Sequence, residues 1–165
     1  MELKRFFRHV MMTPATAARA FPSKTLDAIQ HEIAAHEKRH RGEVCFVVEG
    51  ELTTAQLWAG LTSRQRAKEV FAAQGVWNTE ENNGVLIYVL LAEHRVEIVA
   101  DRGIDRKVGE GEWRAIVDSM DGFFREGRYE EGAVAGVRSV SQLLERHFPA
   151  SGDGTNELGD RPVIL

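Results

Sequence analysis

Two short polar segments in the middle of the chain carry residue types that bind ligands. They are residues 82–84 (Asn-Asn-Gly) and residues 101–103 (Asp-Arg-Gly). Between them, an unbroken apolar run at 85–92 and an alternating run at 95–100 predict two strands of an antiparallel hairpin. A hairpin returns to the edge where it begins, so we expect the two polar segments to lie side by side.

The side chains expected at this edge are rich in oxygen, which favours a hard cation. Calcium takes about six to eight oxygen ligands from carboxylates, amides, carbonyls and water. The candidate metal ligands are Glu80, Asn82, Asn83, Asp101 and Asp105. Arg102 would repel a cation, and it suits a phosphate group or an ion pair with Asp101 or Asp105. A calcium site, a phosphate site and a purely structural turn therefore remain open for this edge.

Residues 36–40 (His-Glu-Lys-Arg-His) match the H-E-x-x-H pattern of zinc hydrolases. In that pattern His36 and His40 would share a zinc ion from one helix face, and Glu37 would activate the water bound to the metal. The segment is also rich in cations and precedes Gly42, which is typical of a solvated helix end. A zinc hydrolase is therefore the third hypothesis for this chain.

The elements that must position these residues alternate between helix and strand. Apolar residues at helical spacing predict a helix from Ser23 to about His40, and the apolar run at 43–49 predicts a central strand. A helix that starts near Ser63 then connects this strand to the one at 85–92, which predicts a right-handed crossover and a parallel pair. Two amphipathic helices complete the chain. We therefore predict an α/β/α sandwich with a small mixed β-sheet that contains a parallel pair and an antiparallel hairpin.

The two ends of the chain are set apart from the domain predicted at 21–149. Residues 1–20 predict a basic amphipathic segment, whose helical stripe consists of Leu3, Phe6, Phe7, Val10 and Met11. This segment could pack on the domain, bind a protein partner or lie on an anionic membrane surface. Residues 150–165 predict a flexible C-terminal tail, unless its apolar end at 162–165 docks.

Composition restricts the classes of partner and location. The chain has 165 residues, 43% of them hydrophobic, and a net charge of −4, which gives no reason to expect nucleic acid as a partner. The sequence contains no apolar run of about 20 residues, so we predict no transmembrane segment. One cysteine cannot form a disulfide within the chain, which is consistent with a reducing compartment. We expect a cytoplasmic protein, either free or peripheral to the inner face of the membrane.

Two motifs together resemble the TPM domain family. The first is the strand entry N-N-G-V-L at 82–86, followed by the hairpin. The second is the pattern F-R-x-G-x-Y-x-x-G, which is matched by Phe124, Arg125, Gly127, Tyr129 and Gly132. The resemblance extends over residues 21–149 and is greatest to a soluble bacterial branch of the family. Residues 101–103 depart from it, because this Asp-Arg-Gly sequence replaces a plainer glycine turn.

The resemblance implies a binding or accessory function. Some relatives are reported to bind calcium or to show acid phosphatase activity, and others assist the assembly or maintenance of membrane complexes. Our first hypothesis is a binding module that assists protein complexes near the membrane, with Ca²⁺ as its candidate cofactor. The alternative is a divalent-metal-dependent phosphatase of the acid type, in which Arg102 holds the phosphoryl oxygens. The sequence contains no dedicated phosphatase motif, so whether the protein is an enzyme stays open.

Overall fold

The computed structural model describes residues 3–152 and 156–165. Within these residues the chain forms eight α-helices and four β-strands. The helices are α1 (Leu3–Met11), α2 (Pro14–Ala20), α3 (Ser23–Glu37), α4 (Thr54–Trp58), α5 (Ser63–Ala73), α6 (Arg102–Asp105), α7 (Glu110–Arg125) and α8 (Tyr129–His147). The strands are β1 (Glu43–Glu49), β2 (Gly84–Leu90), β3 (Arg95–Ala100) and β4 (Val163–Ile164).

The four strands form one mixed sheet in the order β3-β2-β1-β4. Strands β1 and β2 are parallel, with Glu43 opposite Gly84, and the helices α4 and α5 connect them. Strands β2 and β3 form the antiparallel hairpin, with Val85 opposite Ala100. The parallel pair and the hairpin predicted from the sequence are therefore confirmed.

Helices cover both faces of the sheet and create two apolar cores. One core lies between the sheet and helices α3, α7 and α8, and it contains Ile29, Phe46, Ile87 and Met120. The other lies between the sheet and helices α4 and α5, and it contains Tyr88. Every residue of β1 and β2 is buried, since both strands are covered on both sides. The predicted α/β/α sandwich with a mixed sheet is confirmed.

Element ends differ from the sequence-based expectation at a few positions. Helix α3 ends at Glu37, three residues before the expected His40. Helix α5 begins at Ser63 as expected, and Thr62 caps it with a side chain that accepts a hydrogen bond from the backbone of Gln65. After β2 the chain makes a short 3-10 helix over Leu91–Glu93 before it turns back into β3.

The two ends of the chain both contact the domain. Helix α1 packs beside the 3-10 helix that follows β2, and Val163 pairs in parallel with Val47 of β1. The apolar end of the predicted tail therefore docks, whereas residues 153–155 of that tail and the first two residues of the N-terminal segment lie outside the described residues. None of the described helices has the length and apolar character needed to cross a bilayer.

Candidate functional site

The hairpin brings the two predicted polar segments into direct contact. The backbone oxygen of Asn82 accepts hydrogen bonds from the backbone nitrogens of Gly103 and Ile104, at 2.8 and 3.3 Å. The backbone nitrogen of Asp101 donates to the oxygen of Gly84 at 2.9 Å. A side chain at Gly103 would collide with the backbone oxygens of Glu81 and Asn82, so this close contact requires glycine. We call the contact surface of residues 82–84 and 101–103 the hairpin edge.

Asp101 is the buried carboxylate of the hairpin edge. It precedes α6, and its Oδ1 accepts a hydrogen bond from the backbone nitrogen of Arg102 at 2.7 Å. Its Oδ2 is buried and has no hydrogen-bond partner among the described residues, and the residue as a whole is only 7% exposed. One carboxylate oxygen thus caps the helix, and the other is buried without a hydrogen-bond partner among the described residues.

Asn83 holds its amide in a defined orientation on the other side of the edge. Its backbone nitrogen donates to Oγ1 of Thr79 at 3.0 Å, and its Nδ2 donates to the backbone oxygen of Arg41 at 3.0 Å. The residue is 1% exposed, and its Oδ1 has no partner in the described part of the chain. The hairpin edge therefore contains two buried acceptor oxygens, one from Asp101 and one from Asn83, without a donor.

The other predicted ligands lie on the surface of the protein. The side chains of Glu80, Asn82, Arg102 and Asp105 are exposed. Within the described residues Arg102 forms no ion pair, so its expected pairing with Asp101 or Asp105 is not seen. The described residues also contain no group of three or more histidine, cysteine, aspartate or glutamate side chains arranged to hold a metal ion.

The H-E-x-x-H sequence spans the end of a helix. His36 lies in α3, where Nδ1 is 2.9 Å from Oε1 of Glu145 and Nε2 is 3.2 Å from Oε1 of Glu32. His40 lies beyond the helix, in an isolated bridge with Pro149. It is 4% exposed, and neither of its ring nitrogens has a partner among the described residues. Both nitrogens of His36 therefore face carboxylates, while the ring of His40 occupies a different environment.

A polar cavity of about 650 Å³ lies beside His40. Its lining includes Glu37, His40, Glu43, Glu80 and Glu157. Burial lowers the pKa of His40 to about 4, so the ring is neutral at neutral pH. Burial, reinforced by a hydrogen bond to Asp160, raises the pKa of Glu37 to about 8. This cavity therefore contains groups whose charge depends on pH, a property that the sequence pattern did not indicate.

A buried polar network lies at the opposite end of the central strands. Tyr88 donates from its hydroxyl to Oε2 of Glu49 at 2.5 Å, and Arg66 donates to the same carboxylate from Nε and Nη2 at 2.9 Å. Burial and the neighbouring Glu49 raise the pKa of Tyr88. The carboxylate of Glu49 is therefore fully occupied by internal partners.

Together, the sheet order and the glycine-lined hairpin edge define a small mixed α/β sandwich. The sequence model of the TPM domain family matches residues 16–143, and the chain therefore belongs to this family. None of the curated proteins matches the chain significantly.

The solved structures that match this chain include the following two. The first is the BA42 protein of the psychrophilic bacterium Bizionia argentinensis, with 26% identity and a TM-score of 0.77 over 87% of this chain and 94% of that one. The second is the N-terminal domain of a protein from P. gingivalis, with 22% identity and a TM-score of 0.43 over 73% of this chain and 93% of that one. The BA42 structure thus shares the fold along nearly its whole length.

Proposed function

We propose that this TPM protein is an accessory module that binds a divalent cation at the hairpin edge and assists protein complexes near the membrane. The observation that supports cation binding is the buried Oδ2 of Asp101, which has no partner among the described residues. A buried carboxylate oxygen without a hydrogen bond is costly, and a cation removes that cost by supplying the opposite charge. Membrane proximity and a cytoplasmic location stay predictions from the sequence.

The available ligands favour calcium over magnesium. Asp101 supplies a carboxylate oxygen and Asn83 an amide oxygen, while the exposed amide of Asn82 and water complete the set. Calcium tolerates such irregular mixtures of neutral and charged oxygens, whereas magnesium requires a nearly ideal octahedron. Since Asp101 is the one buried carboxylate at the edge, we expect weak binding, with a Kd of about 10⁻⁴–10⁻³ M.

Thermal unfolding with and without calcium tests this proposal. A ligand that binds only the native state at a hundredfold excess over its Kd stabilises that state by about 2.7 kcal/mol. For a domain of this size the Tm should rise by several degrees in calcium, and by less in magnesium. Asp101→Asn should reduce the rise, because it removes the charged ligand and keeps the capping oxygen.

Two variants control for indirect effects. Asp118→Asn removes the same charge from an exposed position on α7 and should keep the full calcium response. His36→Ala should also keep it, since His36 contacts Glu32 and Glu145 and not the hairpin edge. A Tm that does not change in calcium at a hundredfold excess over this Kd, about 10–100 mM, would contradict the proposal and leave the edge as a structural turn.

Phosphatase activity is a second candidate, and the exposed Arg102 beside Asp101 favours it. Arg102 forms no ion pair with any described residue, so its guanidinium is free to hold a phosphoryl group. If a metal at Asp101 activates the phosphate, the protein should cleave a generic phosphomonoester, and both Asp101→Asn and a chelator should abolish the activity. Activity that persists in Asp101→Asn would come from a contaminant. Calcium stabilisation without any cleavage would leave the accessory module as the function.

A further inference from the structure

Helix α1 docks on the domain through its polar side chains. Arg5 donates from Nε to Oε1 of Glu93 at 2.6 Å, and from Nη2 to the backbone oxygen of Leu61 at 2.5 Å. His9 is 2% exposed, and its Nδ1 accepts a hydrogen bond from the backbone nitrogen of Leu52 at 3.0 Å. The proton of the neutral ring is therefore on Nε2, which donates to Glu93 at 3.0 Å.

Arg5 and His9 both bind the carboxylate of Glu93, and we call this set of three residues the α1 lock. Burial alone would raise the pKa of this carboxyl, but the hydrogen bonds from Arg5 and His9 outweigh burial and hold the pKa below its usual value. Glu93 is thus ionised at neutral pH and neutralised by Arg5. The orientation of α1 is set by this buried polar contact, in which each partner satisfies the others.

The opposite side of α1 is an apolar ridge that faces solvent. Leu3 is 67% exposed, Phe7 53%, Val10 59% and Met11 76%. The spacing of these four residues places them along one side of the helix. In a globular protein such a stripe usually faces the core, whereas here only Phe6 of the predicted stripe packs on the domain, beside Arg5 and His9. The apolar ridge is therefore available for contact with something outside the domain.

Two basic residues of α1 lie beside the apolar ridge. Lys4 and Arg8 are exposed on α1, and neither forms an ion pair with a described residue. The described helix contains no acidic side chain. A second copy of the helix would bring like charges together across a symmetric contact, which disfavours self-association. A negatively charged surface is the complementary partner.

We propose that α1 lies in the interfacial region of a membrane that contains anionic lipids. The apolar ridge enters the boundary between headgroups and acyl chains, and Lys4 and Arg8 extend to the lipid phosphates. The ridge consists of four exposed apolar side chains on a single helix, which suits shallow insertion between lipids. This inference sharpens the membrane-side part of the proposed function and does not depend on the cation site.

Trp58 provides a second anchor next to α1. It is 70% exposed at the end of α4, three residues before Leu61, whose backbone oxygen binds Arg5. Tryptophan is enriched at membrane–water interfaces because its ring is both apolar and polar. Trp58 thus adds an exposed amphipathic side chain near the place where α1 docks.

Co-sedimentation of the full chain with lipid vesicles tests the inference. The protein should sediment with vesicles of phosphatidylcholine mixed with phosphatidylglycerol, and much less with phosphatidylcholine alone. Binding should weaken as the salt concentration rises. The double variant Phe7→Ser/Met11→Ser should lose sedimentation, since it removes half of the apolar ridge. Lys4→Gln/Arg8→Gln should weaken binding to the anionic vesicles about twenty-fivefold, at about fivefold for each cation removed.

The matched control removes apolar surface elsewhere. Trp77→Ser changes an exposed aromatic residue in the loop before the hairpin edge, at the end of β2 that is opposite to α1, and should sediment like wild type. Circular dichroism should show the wild-type fold in every variant, because none of the substituted side chains is buried. A wild-type protein that stays in the supernatant with anionic vesicles would overturn the inference. So would normal sedimentation of Phe7→Ser/Met11→Ser. The calcium response of the hairpin edge is measured without lipid, so either proposal can fail alone.

Discussion

The buried carboxyl group of Glu43 makes the stability of the protein depend on pH. Glu43 begins the central strand β1 and is 5% exposed, and its Oε1 accepts a hydrogen bond from the backbone nitrogen of Glu157 at 2.9 Å. Burial is the main cause that raises its pKa to about 7, and the negative charges of Glu157 and Asp160 add to it. The carboxyl group therefore keeps its proton in the native state at pH values where the unfolded chain has lost it.

This pKa predicts how stability changes with pH. The unfolded chain releases the Glu43 proton near the ordinary glutamate pKa of 4.5, and the native state releases it near pH 7. Raising the pH through this window therefore destabilises the native state, and the loss is complete above pH 7. Glutamine does not ionise, so Glu43→Gln should not lose stability in this window. Above pH 7 the free energy of unfolding of the variant should exceed that of wild type by on the order of 1 kcal/mol, after allowance for screening by solvent in the cavity.

Urea unfolding at several pH values measures the predicted gain. The informative quantity is the difference in unfolding free energy between variant and wild type, because His40 titrates in both proteins. This difference includes the part of the raised pKa of Glu37 that the charge of Glu43 causes. Glu51→Gln is the matched control, since it alters an exposed carboxylate that has no hydrogen bond in the described structure. A difference between Glu43→Gln and wild type that is the same at every pH would show that Glu43 does not carry the effect.

At the level of elements, the close contact of α7 and α8 determines how the outer layer covers the sheet. Gly132, in the first turn of α8, lies against α7, and an added Cβ there would be 2.7 Å from the Cβ of Phe123 and 2.8 Å from the ring of Phe124. The rings of Phe124 and Tyr129 also pack together, with centroids 5.3 Å apart. The F-R-x-G-x-Y-x-x-G motif is thus a packing motif that joins these two helices.

Gly132→Ala should destabilise the protein by about 1–3 kcal/mol, because the added methyl group overpacks this contact. Gly122→Ala is the control within the same helix pair, since a Cβ at Gly122 would meet nothing within 4 Å. That variant should be neutral or more stable by up to about 1 kcal/mol, because alanine favours the helix more than glycine does. Chemical unfolding of both variants checks the prediction, and equal stabilities would contradict it.

At the level of the whole molecule, the two proposed binding surfaces lie at opposite ends of β2. The hairpin edge lies at Gly84, where β2 begins, and Glu93 follows the last residue of β2. The strand has seven residues, which separates the two ends by roughly 23 Å. A cation at the hairpin edge would therefore not touch a membrane held by α1, which leaves that edge accessible to a protein partner.

Local patterns in the sequence determined the secondary structure and most of the topology. The apolar run of β2 and the alternation in β3 specify which faces are buried, so the hairpin and the proximity of Asn82 to Gly103 followed from them. The strand–helix–strand order specified the parallel pair for the same reason, since right-handed crossovers dominate. Two glycines of the family motifs, Gly84 and Gly132, also lie at close contacts in the structure.

Tertiary contacts decided the features that concern function. The amphipathic pattern of α1 is the same whichever side docks, and only the distant Glu93 shows that Arg5 and His9 face inward. The free Oδ2 of Asp101 depends likewise on which groups surround it after folding. The burial and the partners of a polar group depend on residues far apart in the chain. For this reason the sequence predicted ligands such as Asp105, whose side chain is exposed in the structure.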